Sequence, residues 1–175
     1  YAASKVFAHS ITKIYRDAYG IFAANGILFN HESPLRGETF VTKKIVKALT
    51  KIKFGKQKCL YLGNLYAKRD WGHAKDYVIA MWKILQVKKA DDFVIATNKH
   101  FSIKEFINVV AKELKLKINW RGKGINEIGY TSKNKVIIKI SKRYFRPLDV
   151  DNLIGNYSKA KKILKWKPKT SLAQL

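Results

Sequence analysis

Residues 21–30, IFAANGILFN, are a nearly continuous apolar run. Such a run is typical of a strand that is buried on both faces of a parallel sheet. Gly20 separates it from a helical pattern over residues 1–18, and Pro34 and Gly37 mark a loop after it. The stretch therefore predicts a buried parallel strand between a helix and a polar loop.

Helical and strand patterns alternate through the rest of the chain. Apolar spacing predicts helices over residues 38–53, 73–86, 102–115 and 158–165, and short strands over 59–63, 93–96 and within 120–140. The 73–86 helix is expected to bury a stripe made of Ala74, Tyr77, Val78, Met81, Trp82 and Leu85. This alternation indicates an α/β fold built from βαβ units.

Two serines have the spacing of a helix capping box. Ser102 with Glu105 begins the 102–115 helix, and Ser171 with Gln174 lies next to the last residue of the sequence. No helix follows the second pair, and no glycine-rich dinucleotide loop occurs in the sequence. We therefore expect that the sequence is truncated at both ends and lacks the first βαβ units of the sheet.

The formal net charge is +24, from 36 basic and 12 acidic residues. A balance this basic suggests nucleic acid as a partner. However, only six of the basic residues are arginine, which nucleic-acid recognition favours, and the lysines form no block or tail. We therefore interpret most of the charged residues as lying on solvated faces, and we expect no nucleic-acid partner. The remaining charge favours anionic ligands such as nucleotide diphosphates.

The sequence gives little sign of a membrane, a metal or a disulfide. No apolar run is long enough to span a bilayer, and no signal peptide is visible. The single cysteine, Cys59, excludes an internal disulfide and is typical of a reducing compartment. His73 and Asp76 are too few to bind a metal ion. These features predict a cytoplasmic protein without a metal site.

The first five residues, YAASK, place a tyrosine and a lysine one helical turn apart. Positions i and i+4 share one face of a helix, so the phenol of Tyr1 and the ammonium of Lys5 are expected to meet. A nearby positive charge favours the phenolate, and such a tyrosine can act as a general acid or base. The alternative is an ordinary helix surface with an extended lysine. The same spacing recurs at Tyr157 and Lys161, where we interpret it as accidental.

Six segments in collinear order resemble the GDP-mannose 4,6-dehydratase family of extended short-chain dehydrogenases and reductases. They are YAASK (1–5), NGILFNHESPLRGETFVTKKI (25–45), LYLGNLYAKRDWGHAKDYVIAMW (60–82), DDFVIAT (91–97), YFRPLDVDNLIGN (144–156) and SKAKKILKWKPKTS (158–171). The resemblance implies the C-terminal part of an NAD(P)-binding Rossmann-like fold plus the smaller α/β substrate-binding domain. Residues 1–37 and about 60–97 would end the Rossmann-like domain, and residues 38–59 and 98–175 would mostly bind the nucleotide sugar.

The resemblance also implies an activity. Family members convert GDP-mannose to GDP-4-keto-6-deoxymannose and water by internal hydride transfer through bound NADP, which begins the synthesis of GDP-fucose and related deoxysugars. They commonly assemble as dimers or tetramers. Their catalytic threonine and glutamate lie upstream of the tyrosine and are absent here, so this chain alone is expected to be inactive.

The resemblance assigns roles to nine residues. Tyr1 and Lys5 would be catalytic and would bind the cofactor together with His31 and Arg36, while Asn30, Val41, Lys44, Arg69 and Arg146 would bind GDP-mannose. Without the family, His31 would be an ordinary loop histidine, Arg36 a solvated arginine, and the two later arginines members of salt bridges. Leu35 and Tyr66 depart from the family pattern, which commonly has an arginine and an acidic residue at these positions.

Three rival interpretations remain open. The first is another nucleotide-sugar epimerase, reductase or dehydratase of the same superfamily, because the ring chemistry depends on residues that are not in this sequence. The second is a lysine-rich nucleic-acid-binding module. The third is a fragment that folds poorly because half of its sheet is missing.

Overall fold

The computed structural model describes residues 1–145 and 150–175. The chain divides into two compact units. Unit 1 comprises residues 1–31, 70–99 and 154–170, and unit 2 comprises residues 32–69, 100–153 and 171–175. Both units contain helices and strands, so the predicted α/β class is confirmed.

The elements are numbered in chain order. The helices are α1 (Ala2–Tyr19), α2 (Val41–Lys53), α3 (Ala74–Ile84), α4 (Ile103–Glu113) and α5 (Ser158–Leu164). The strands are β1 (Gly26–Leu28), β2 (Asn30–Glu32), β3 (Leu60–Leu62), β4 (Lys68–Arg69), β5 (Trp71–His73), β6 (Phe93–Ile95), β7 (Phe101–Ser102), β8 (Ile118–Arg121), β9 (Ile128–Thr131), β10 (Val136–Ile140) and β11 (Asn152–Leu153). Every predicted helix is present, although α2 begins at Val41 rather than Glu38. No helix in the described ranges is both long enough and apolar enough to cross a membrane.

Unit 1 is built on a parallel pair of strands. β1 pairs with β6, with Ile27 opposite Val94. Helices α3 and α5 pack on this pair and form the core with it. The core side chains are Tyr77, Ala80, Ile84, Phe93, Ile95, Ala160, Leu164 and Trp166.

The chain after α5 is fastened to the start of α3 through Asp76. The carboxylate of this residue accepts hydrogen bonds from the backbone N–H groups of Lys169 at 3.0 Å and Thr170 at 2.9 Å. Its backbone carbonyl oxygen accepts a third, from Trp166 Nε1 at 2.9 Å. Burial opposes ionisation of Asp76, but the donors from Thr170 and Lys169 outweigh it and lower its pKa.

The apolar run 21–30 differs from its prediction. Only its segment Gly26–Leu28 forms β1, and Ile27 is 42% exposed. The prediction of one strand buried on both faces is wrong. Burial on both faces requires neighbouring strands and two covering layers, whereas β1 pairs only with β6 among the described strands.

Helix α3 also departs from its prediction. It buries the face that carries Tyr77, Ala80 and Ile84. Four members of the predicted stripe are exposed, namely Val78, Met81, Trp82 and Leu85. The helix is apolar on more than one side, so its periodicity alone does not decide which side meets the core.

Unit 2 contains a four-stranded mixed sheet in the order β3-β10-β9-β8. β10 is parallel to β3 and antiparallel to β9. A smaller sheet has the order β11-β4-β7, and helices α2 and α4 pack together. Ser102 caps α4 as predicted, because its Oγ accepts from the Glu105 N–H at 3.1 Å and its own N–H donates to Glu105 Oε2 at 2.6 Å.

Candidate functional site

Tyr1 and Lys5 lie together at the start of α1. The Tyr1 carbonyl oxygen accepts hydrogen bonds from Ser4 Oγ at 2.7 Å and from the Lys5 N–H at 3.2 Å. The Lys5 Nζ lies 5.2 Å from the centroid of the Tyr1 ring. The phenol and the ammonium therefore share one side of the first turn, as their i, i+4 spacing requires. Tyr1 is 94% exposed, so its hydroxyl is accessible.

Asn30 and His31 begin β2, which runs beside β5. The Asn30 side-chain amide donates to the carbonyl oxygen of Asp70 at 3.3 Å. His31 Nδ1 lies 2.9 Å from the carbonyl oxygen of Phe29. Because a carbonyl oxygen only accepts, Nδ1 must carry the proton of this bond. In the neutral imidazole, Nε2 is then left as an acceptor for an N–H or O–H group of a ligand.

Tyr77 packs against His31, with the two ring centroids 5.5 Å apart. Its ring fits because residue 72 is glycine, since a Cβ there would lie 2.4 Å from the ring. Burial raises the pKa of the Tyr77 hydroxyl, and the nearby carboxylates of Asp70 and Asp76 raise it further. The imidazole of His31 therefore packs against an uncharged tyrosine ring.

Asp70 organises the polypeptide around Asn30. Its side chain is fully buried. The carboxylate accepts hydrogen bonds from Thr97 Oγ1 at 2.6 Å, Thr97 N at 2.9 Å, Asn98 N at 3.1 Å and Gly155 N at 3.2 Å. Asp70 was not among the predicted site residues, because its partners are distant along the chain and three of the four donors are backbone groups.

Arg36 lies in the loop before α2. Its Nε is 3.2 Å from Glu32 Oε2, and its guanidinium carbon is 3.6 Å from the centroid of the Phe40 ring. Thr42 Oγ1 donates to the same Glu32 oxygen at 2.7 Å. Glu32 was not among the predicted site residues. Its i, i+4 spacing from Arg36 is a signal that the sequence carries.

Lys44 lines a cleft of about 300 Å³ in unit 2. The lining residues are Glu38, Lys44, Lys47, Ala48, Lys51, Gln57, Cys59, Leu60, Tyr61 and Tyr144. Lys44 Nζ lies 3.7 Å from the centroid of the Tyr144 ring, and Lys47 pairs with Glu38. Val41 is half-buried in the first turn of α2. The cleft combines aromatic surface with three ammonium groups, which suits a nucleotide with negative charge.

Of the two arginines predicted to bind the substrate, Arg69 is described by the structure and Arg146 is not. Arg69 ends β4, and its Nη1 donates to the backbone carbonyl oxygens of Lys68, at 2.9 Å, and Val150. These bonds fix the guanidinium against the strand. Arg146 lies outside the described residues.

Tyr66, the departure from the family pattern, belongs to a buried polar cluster in unit 2. Its hydroxyl donates to Glu127 Oε2 at 2.7 Å, and Lys104 Nζ lies 2.6 Å from Glu127 Oε1. Burial disfavours the Lys104 ammonium, but Glu127 outweighs that effect and raises the pKa of Lys104. Tyr66 therefore satisfies a buried carboxylate in this chain.

The predicted site residues fall into both units. Unit 1 holds Tyr1, Lys5, Asn30 and His31, and unit 2 holds Arg36, Val41, Lys44 and Arg69. Across residues 1–145 and 150–175, no three His, Cys, Asp or Glu side chains are grouped closely enough to hold a metal ion.

Known proteins match this chain along its whole length. The family model described as GDP-mannose 4,6 dehydratase matches residues 1–175. The chain is 51% identical to GDP-mannose 4,6 dehydratase 2 of Caenorhabditis elegans over 100% of its own length and 46% of that protein. It is 53% identical to GDP-mannose 4,6 dehydratase of Dictyostelium discoideum, again over its whole length and 49% of that protein. The chain thus spans about half the length of these curated relatives.

Solved structures show the same fold at lower identity. RMD from Pseudomonas aeruginosa, complexed with NADPH, superposes with a TM-score of 0.80 at 19% identity, over 99% of this chain and 52% of that one. dTDP-glucose 4,6-dehydratase from Bacillus anthracis, in complex with NAD, gives a TM-score of 0.77 at 22% identity, over 99% and 48%. The predicted extended short-chain dehydrogenase fold is therefore confirmed.

Proposed function

This chain belongs to the GDP-mannose 4,6-dehydratase family, and we propose that it supplies the tyrosine–lysine pair and the nucleotide-sugar-binding residues of such a dehydratase. The reaction is the conversion of GDP-mannose to GDP-4-keto-6-deoxymannose and water. The observation that carries the proposal is the Tyr1–Lys5 pair, in which the ammonium lies 5.2 Å from the phenol ring. About 50% identity to two named dehydratases over the whole chain supports the substrate.

In this mechanism Tyr1 exchanges the proton of the hydroxyl at position 4 of the mannose ring. Lys5 stabilises negative charge on the phenol oxygen, because opposite charges one turn apart attract. General acid–base catalysis of this kind contributes about 10²- to 10⁴-fold to a rate.

The residues also fit a dinucleotide cofactor. His31 offers a hydrogen-bond acceptor at Nε2 because Phe29 holds the proton on Nδ1. Arg36 offers a planar set of donors that matches a phosphate. We therefore assign NADP binding to Tyr1, Lys5, His31 and Arg36. Bound NADP supplies the reversible oxidation and reduction of the sugar, which no side chain of this chain supplies.

The substrate is assigned to Asn30, Val41, Lys44, Arg69 and Arg146. The cleft beside Lys44 is rich in lysine, and a nucleoside diphosphate carries negative charge that such a surface attracts. On this assignment unit 1 belongs to the dinucleotide-binding domain, and unit 2 mostly binds the nucleotide sugar. Assembly into dimers or tetramers and a cytoplasmic location remain predictions.

The test uses the complete protein that carries this chain, with GDP-mannose and a trace of NADP. We expect the 4-keto-6-deoxy product without net consumption of cofactor. Tyr1→Phe is expected to lower kcat by about 10²-fold or more, because the proton-transferring hydroxyl is lost. Tyr157→Phe, at the second tyrosine–lysine spacing, is the matched control and is expected to leave kcat unchanged.

Two results would contradict the proposal. A product that keeps its 6-hydroxyl would indicate an epimerase, and stoichiometric oxidation of NADPH would indicate a reductase.

A further inference from the structure

Glu32 is a buried acidic residue to which neither the family resemblance nor the mechanism above gives a role. Its side chain is 7% exposed and lies beside Arg36, whose side chain is 24% exposed. Burying a carboxylate costs free energy unless it is paired and hydrogen-bonded. Two groups supply this need, the Arg36 guanidinium and the Thr42 hydroxyl, and both approach the same oxygen, Oε2.

The way in which Arg36 is held leaves part of it available. Glu32 is approached by Nε, the inner nitrogen, at 3.2 Å, and the flat face of the guanidinium covers the Phe40 ring at 3.6 Å. Within residues 1–145 and 150–175, neither terminal nitrogen of Arg36 has a hydrogen-bond partner. The buried Nε forms no hydrogen bond to any described residue, so its contact with Glu32 is an ion pair. A guanidinium that is paired with a carboxylate at its inner nitrogen and covered on its face presents its outer edge, which is the edge that binds a phosphate bidentately.

We propose that Glu32 is a positioning residue that fixes Arg36 as a phosphate-binding group of the dinucleotide cofactor. The proposal rests on the NADP site proposed above and adds to it a residue that does not touch the ligand. Glu32 acts in two ways with opposite signs. It restricts the arginine to one orientation, which favours binding, and it cancels part of the positive charge, which opposes binding. We infer that orientation dominates, because Phe40 and Glu32 together remove most of the rotamer freedom that binding would otherwise cost.

The experiment measures the dissociation constants of NADP and NAD for the complete protein, together with its melting temperature. Arg36→Ala is expected to weaken NADP binding by about 10- to 100-fold, the range for a charge-assisted contact. Glu32→Gln keeps the shape and an oxygen for Thr42 but removes the charge, and it is expected to weaken binding by about 5-fold. Glu113→Gln, an exposed glutamate of α4, is the matched control and is expected to change neither quantity.

A double-mutant cycle separates positioning from mere stability. If Glu32 acts through Arg36, then adding Glu32→Gln to Arg36→Ala costs no further affinity. If Glu32 only stabilises the fold, Glu32→Gln is expected to cause the same loss of NADP affinity whether residue 36 is arginine or alanine. A weakening confined to NADP assigns the contact to the 2′-phosphate, and an equal weakening for NADP and NAD assigns it to the pyrophosphate that both share.

Three results would overturn the inference while NADP binding itself survives. They are tighter binding by Glu32→Gln, unchanged binding, and additive losses in the cycle. If the wild-type protein binds neither NADP nor NAD, the proposed function fails instead.

Discussion

Asp70 and Glu127 are both buried carboxylates, yet they are stabilised in different ways. Glu127 has a cation, Lys104, and a hydroxyl donor, Tyr66. Asp70 is held by three backbone N–H groups and the hydroxyl of Thr97. Donors to a carboxylate can replace a counter-ion, because each one stabilises the charge at short range. Asp70 therefore joins three chain segments that a neutral side chain would hold less well.

Replacing Asp70 with asparagine tests this role. The amide has nearly the same shape, but its nitrogen cannot accept the bonds that one carboxylate oxygen now accepts. Asp70→Asn is expected to lower the free energy of unfolding by about 2 kcal/mol or more, measured by urea denaturation. The matched control is Asp151→Asn, at an exposed carboxylate, with an expected change below about 0.5 kcal/mol. Equal stability of the two variants would show that the Asp70 network contributes little.

Asp92 makes the stability of unit 1 depend on pH. Burial of this carboxyl opposes its ionisation, but hydrogen bonds from Arg16 and Asn25 outweigh burial and lower its pKa from 3.8 to about 2. A lowered folded-state pKa stabilises the folded chain above the unfolded value, and that stability is lost as the pH falls through the folded value. The stability difference between wild type and Asp92→Asn is expected to shrink as the pH falls from 3.8 to about 2. Chemical denaturation at several pH values measures it, and a constant difference would contradict the assignment.

At the scale of helices, the features that the sequence predicted correctly are capping hydrogen bonds between residues close together in the chain. The α4 capping box uses groups within three positions of each other, and the bonds formed as predicted. The Ser171–Gln174 pair also forms both bonds of a capping box, since Ser171 N–H donates to Gln174 Oε1 at 2.8 Å and Gln174 N–H donates to Ser171 Oγ at 3.3 Å. Such bonds depend on local backbone geometry alone, so spacing is sufficient to find them.

The α4 cap has a measurable contribution. Ser102→Ala removes the acceptor for the Glu105 N–H, so the free energy of unfolding is expected to fall by about 1 kcal/mol. Ser102→Thr keeps a hydroxyl at the same position and is expected to recover most of that loss. Thermal denaturation of the two variants gives the comparison. If Ser102→Thr is as destabilised as Ser102→Ala, side-chain packing rather than the cap explains the loss.

The two site residues that the sequence analysis missed, Asp70 and Glu32, differ in how far along the chain their partners lie. Asp70 meets residues 97, 98 and 155, and Glu32 matters because its oxygen is shared by Arg36 and Thr42. A pattern along one chain contains no signal for bonds of the first kind. The Tyr1–Lys5 contact was predictable because one helical turn determines it. Trp82 was predicted to be buried and is exposed. Which side of helix α3 meets the core depends on tertiary packing, and helical periodicity alone does not determine it.

At the scale of the whole molecule, the two units differ in how their sheets are completed. In unit 2, β10 has β3 on one side and β9 on the other, and its Ile137 and Ile138 are fully buried. In unit 1, β1 pairs only with β6 among the described strands, and residues of the apolar run around it are exposed. Parallel strands are normally covered on both faces and bordered on both edges inside a sheet. Unit 1 therefore presents a strand edge and apolar side chains of a kind that proteins usually cover.

Hydrogen exchange of this chain tests that difference directly. Amides of Gly26–Leu28 are expected to exchange at least about tenfold faster than those of Val136–Ile140, because an edge strand with few buried neighbours opens at lower free energy than a central one. The comparison is internal to one sample, so pH and temperature act on both strands alike. Equal protection of the two strands would contradict the expectation and would require a partner on the open edge of β1. Repeating the measurement at lower protein concentration identifies a second copy as that partner if the protection of β1 is then lost while that of β10 persists.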